Sequence, residues 1–62
     1  MSLADARQFV TEVEVNPDLR AWVAAAHWDM AVVFDAAAQL NLSFTEDELS
    51  TALDQLWGIL EE

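Results

Sequence analysis

Cysteine is absent from this 62-residue chain, which excludes a disulfide scaffold, a thiolate nucleophile and a zinc knuckle. Histidine occurs once, at His27, so no second imidazole exists to help complete a metal site. Glycine and proline also occur once each, at Gly58 and Pro17, leaving little turn chemistry for β-hairpins. Basic charge is the next scarcity: only Arg7 and Arg20 oppose 12 Asp and Glu residues, a net charge of −10. Such a surface repels phosphate backbones and anionic lipid, so neither nucleic acid nor membrane is an expected partner. Basic proteins, by contrast, are steered toward it. The longest uncharged run, Ala36 to Thr45, is too short to span a bilayer. Met1-Ser2-Leu3-Ala4-Asp5 has neither a basic nor an apolar signal region, and cytoplasmic residence is the expectation.

What is present is apolar and reads as helix. Hydrophobic residues make up 55% of the chain, enough to fold and too few residues in all for more than one domain, taken as 1–62. Ser2 reads as an N-cap, with Asp5 three positions on in the manner of a capping box. Leu3, Ala6, Phe9 (or Val10) and Val13 follow as one apolar stripe, and Pro17 ends that helix and opens the next, with Asn16 as its cap. The second helix, from Pro17 to about Ala26, presents Leu19, Trp22, Val23 and Ala26 inward; Trp22 is expected in the core. His27-Trp28-Asp29 turns the chain, and Asp29 caps a third helix from Met30 to Leu40 with Met30, Val33, Phe34, Ala37 and Leu40 inward. Asn41 stands where a left-handed residue closes a helix. Thr45 and Glu48 form a capping box, and Phe44 with Leu49 forms a hydrophobic staple. Leu49, Ala52, Leu53, Leu56, Trp57 and Leu60 then make the seam of a last helix, interrupted by Gly58 and frayed at Glu61-Glu62. The fold class is all-α, a small bundle of three to four short helices. At this size it should be only marginally stable alone.

Catalysis finds no support. His27 has no orienting partner at any useful spacing. Glu46-Asp47-Glu48 lack the ligand spacing of a calcium loop, and the helix dipole already accounts for three acids in a first turn. Ser43, Ser50 and Thr51 have no adjacent base, no Asp-Ser-Leu tripeptide marks a carrier protein, and no glycine loop cradles phosphate. No cofactor and no enzymatic activity are expected. Trp28 at the turn reads either as a lid over the core or as an exposed contact, and Trp57 lies one position off the leucine seam.

Met1-Ser2, Phe9-Val10, Asn16-Pro17-Asp18-Leu19-Arg20, Ala37, and Asn41-Leu42-Ser43-Phe44-Thr45-Glu46-Asp47-Glu48-Leu49 followed by Ala52-Leu53 together carry a resemblance to a known family. The chain resembles the nif-eleven domain, a short nitrogen-fixation-associated family that also forms the leader region of certain modified-peptide precursors. The resemblance covers about residues 1 to 53, with Asn41 where the family carries glycine. It implies a binding role: a leader recognised by a maturation enzyme, such as a lanthionine synthetase or a radical-type maturase, that modifies a core peptide downstream. The family's double-glycine cleavage site has no counterpart here beyond Gly58, so the chain reads as a stand-alone member or a leader without its core.

The expected function is therefore a non-catalytic protein-interaction module. Its expected contacts are Leu53, Leu56, Trp57 and Leu60 on the last helix, with Trp28 beside them. An acidic mimic that blocks a basic, nucleic-acid-binding protein is the alternative. Self-association into a homo-oligomer is a third reading.

Overall fold

The computed structural model describes residues 2–58, in the order α1 (Leu3–Val15), α2 (Pro17–Ala25), α3 (Met30–Gln39) and α4 (Glu46–Trp57). No strand occurs among the described residues, and the fold is an all-α bundle. α1 is its centre. Ala6, Phe9, Val10 and Val13 are buried at spacings of three and four, so both Phe9 and Val10 face inward. α1 packs most extensively on α4 and next on α2, while α2 meets α3 only sparsely. Leu19, Val23, Val33, Ala36, Ala37, Phe44, Leu49 and Ala52 complete one core cluster, and no polar or charged side chain among the described residues is buried in it.

The helix ends follow from local chemistry. Asn16 Oδ1 accepts the N–H groups of Asp18 (3.1 Å) and Leu19 (3.2 Å), and Pro17 takes the first helical position, where a missing N–H costs nothing. Asp29 Oδ1 accepts from the Ala31 N–H at 2.9 Å. At α4 the capping box closes in both directions: Glu48 N–H to Thr45 Oγ1 at 3.1 Å, Thr45 N–H to Glu48 Oε1 at 2.8 Å. Phe44 and Leu49, on either side of that cap, are both buried.

Two helices end in paired backbone bonds around a left-handed residue. After α2, His27 N–H donates to the Ala24 carbonyl (2.9 Å) and Trp28 N–H to the Val23 carbonyl (3.0 Å). After α3, Asn41 N–H donates to Ala38 (3.0 Å) and Leu42 N–H to Ala37 (2.9 Å). Both are Schellman closures, which satisfy carbonyls the helix itself cannot. Asn41 has φ 61°, as expected of it, but His27 (φ 54°) and Trp28 (φ 58°) are left-handed in succession, which nothing in their side chains announces.

Four expectations need correction. Gly58 does not interrupt α4; at φ 64° it ends the helix, its N–H shared between the Leu53 and Asp54 carbonyls. Ser2 and Asp5 make only half a capping box. The Asp5 N–H bonds Ser2 Oγ at 3.0 Å, but the Asp5 carboxylate accepts the Ser43 N–H at 3.0 Å, while the Ser2 N–H reaches the Ser43 carbonyl at 3.0 Å. The start of α1 is thus clamped to the loop before α4. Trp22 is not in the core but 38% exposed. In α3 the inward face is Val33, Ala36 and Ala37 with Met30 packed against it, leaving Phe34 (38%) and Leu40 (37%) exposed. Val33, Ala36 and Ala37 thus join the core cluster, while α3 meets only α2 beyond marginal contact, which leaves its bulkier flank outside. Leu60, Glu61 and Glu62 lie outside the described residues.

Candidate interaction surfaces

Five of the six aromatic rings form one continuous line. Phe34 meets Phe44 (centroids 5.7 Å apart), Phe44 meets Phe9 (5.4 Å), Phe9 meets Trp28 (6.4 Å) and Trp28 meets Trp57 (5.8 Å). The Trp28 contacts are edge-to-face, at 88° and 83°, the arrangement that aromatic quadrupoles favour. The left-handed turn after α2 places Trp28 so. Its backbone is anchored on Val23 while its ring spans from the core residue Phe9 to the end of α4.

At that end Leu53, Leu56 and Trp57 occupy positions i, i+3 and i+4, one face of α4. Leu53 and Trp57 are half-buried and packed against the core, and Leu56 is 44% exposed. The bundle therefore brings Trp28 and Trp57 together and holds Leu56 next to them in solvent. Trp28 itself is half-buried, partly lid and partly surface.

A second apolar surface was not expected. Leu19 and Trp22 of α2 and Ala36, Gln39 and Leu40 of α3 line a groove of about 210 Å³, with Asn16 and Asp18 at its end. The groove exists because α2 and α3 touch so little and because Ala36 offers only a methyl group to the floor. The sequence signal was there as a surplus: more large apolar residues on α2 and α3 than one core face can take.

The motif residues serve the scaffold. Phe9, Leu19, Phe44 and Leu49 are buried, while Asn16, Pro17, Thr45 and Glu48 start helices. Arg20 Nη1 donates to the Glu14 carbonyl at 3.1 Å, placing its charge on the negative end of α1. Asp47 is exposed in the first turn of α4, where the dipole favours an acid. Among the described residues no group of three or more His, Asp or Glu is placed to hold a metal, and no helix is long and apolar enough to cross a membrane. His27 is exposed on its turn.

The described residues thus form a capped, clamped helical scaffold that leaves several large apolar side chains in solvent. The chain belongs to the Nif11 domain family, whose model matches residues 1–49. That family is leader-peptide-like and not catalytic. No curated protein and no solved structure matches the chain significantly. The matched span takes in α1 to α3 and the first turn of α4, so it includes the α2–α3 groove and stops before Leu53, Leu56 and Trp57.

Proposed function

We propose that this domain is a leader-type recognition module, grasped by a peptide-maturation enzyme in the cytoplasm through the C-terminal face of α4. The contacts are Leu53, Leu56 and Trp57, with Trp28 setting the position of Trp57; Leu60, the remaining expected contact, lies outside the described residues. One observation carries this reading: a bulky tryptophan is held at φ 58° so that its ring braces Trp57, and 44%-exposed Leu56 lies beside that pair. Left-handed backbone at a bulky residue costs on the order of 1–2 kcal/mol and persists where the surrounding structure imposes it, often at binding sites. Apolar anchors at i, i+3 and i+4 are what a groove reads from a helix.

The test fuses the domain ahead of a core peptide rich in Cys, Ser and Thr. The maturation enzyme encoded nearest its gene is added, and modification is followed by mass spectrometry. Leu56→Ala should abolish most modification while leaving helicity unchanged. Trp57→Ala is the harsher variant; if it unfolds the domain, Trp57 belongs to the scaffold and the contact role rests on Leu56. Full modification of the Leu56→Ala fusion would refute the assignment of the face. An acidic decoy would instead bind a basic protein with affinity falling steeply between low and high salt, whereas apolar recognition changes little.

A further inference from the structure

We propose that the α2–α3 groove takes one apolar anchor side chain, flanked by cationic residues, from a polypeptide partner. The groove shares no residue with the α4 face, so this inference stands apart from the maturation-enzyme reading.

Trp22 is the starting observation. It is the one aromatic ring outside the line that joins the other five, and it is exposed although its neighbours Leu19 and Val23 are buried. Leu40, also more than a third exposed, lines the same groove, as do buried Leu19 and Ala36. Large Trp22 and Leu40 beside small Ala36 leave a hollow in the surface. At about 210 Å³ it falls below the roughly 300–1,000 Å³ of small-molecule sites and suits a single side chain.

The rim determines which polypeptide. Asn16 Oδ1 is engaged by the Asp18 and Leu19 amides, so the charge at this end of the groove is the Asp18 carboxylate. Asp35, exposed on α3 one position before the lining residue Ala36, lies outside the lining itself. The nearest cation in sequence, Arg20, gives its guanidinium to the Glu14 carbonyl at the end of α1. The groove is thus lined by apolar Leu19, Trp22, Ala36 and Leu40 together with polar Asn16, Asp18 and Gln39, and the one charge among them is negative. A second copy of a chain with net charge −10 would bring like charge to like, as would a phosphate backbone or an anionic lipid surface. A basic segment carrying Leu or a similar anchor complements both features at once.

The experiment titrates the 15N-labelled protein with acetyl-Arg-Arg-Leu-Leu-Arg-Arg-amide and, separately, with the peptide in which Glu replaces every Arg. The Arg peptide should shift the Trp22 indole N–H and the amides of Leu19, Gln39 and Leu40; the Glu peptide should not. Trp22→Ala should weaken binding at least about tenfold. Asp18→Asn should weaken it about threefold at low salt, a difference that disappears at high salt. Leu56→Ala should leave the titration unchanged, which separates a failure here from a failure of the α4 face. Should Trp22→Ala not fold, the wild-type shift map and Asp18→Asn decide. Shifts confined to Trp28, Leu56 and Trp57, equal binding of the Glu peptide, no shifts at millimolar Arg peptide, or a homodimer burying Trp22 would each overturn the proposal.

Discussion

His27→Gly should stabilise this protein, and the size of the gain can be worked from the backbone. His27 has φ 54°, a conformation that costs an ordinary L-residue on the order of 1–2 kcal/mol and glycine almost nothing. Its side chain is exposed, and its N–H bond to the Ala24 carbonyl belongs to the main chain, so glycine keeps that bond. Against the relief stands the greater freedom of glycine in the unfolded chain, about 0.4–1 kcal/mol. Mid-range values of the two terms leave a net gain of about 0.5–1 kcal/mol, between extremes of about 0 and 1.6 kcal/mol. For a domain this small that is a rise in Tm of about 2–8 °C. With a urea slope near 1 kcal/mol/M the midpoint moves up by about 0.5–1 M. Far-UV circular dichroism during thermal and urea unfolding reads both. His27→Ala is the control, because alanine keeps the strain and should give no gain. If glycine proves neutral or destabilising, or if alanine matches it, the account of the left-handed closure fails. The position of Trp28 would then need another cause.

Phe9→Ala should leave the chain largely unfolded. The loss of about 3–5 kcal/mol at a fully buried ring that touches Phe44 and Trp28 matches all the stability expected of a core this size. Thr45→Ala should cost about 1 kcal/mol by removing one half of the capping box, measurable as a lower urea midpoint with unchanged slope. Asp5→Ala should cost about 1 kcal/mol by freeing Ser43 from the start of α1. Amide exchange should quicken selectively at Ser43. Size exclusion at two protein concentrations tests self-association: a monomer elutes unchanged, and a shift to earlier elution with concentration would establish an oligomer.

The elements that could be read in advance share a property. Asn16-Pro17, Asp29, Asn41 and Thr45-x-x-Glu48 act over two to five residues, so each boundary they make is written beside itself. α1 and α4 were legible because polar residues interrupt their apolar ones and give the stripe a contrast. α3 has almost none. Met30, Ala31, Val32, Val33 and Phe34, then Ala36, Ala37 and Ala38, surround it with apolar side chains broken only by Asp35 and Gln39. Any of several faces could have been inward, and the choice of Val33, Ala36 and Ala37 rests on which side approaches its neighbours most closely. The same holds for Trp22, whose place in a stripe says nothing of whether a third helix arrives to cover it.

The amino-acid order alone thus determined the helical segments, the caps at Ser2, Asn16, Asp29, Asn41 and Thr45, the absence of strands among the described residues and an acidic surface, since all of these arise from neighbours along the chain. Tertiary structure decided the rest. It turned Asp5 away from its own helix to hold Ser43, 38 positions on, and left exposed Trp22 and Leu40 lining one groove. It also stood Trp28 edge-on to Trp57. Those outcomes depend on how closely whole helices can approach, a quantity set by all their side chains together and by no local signal in any one of them.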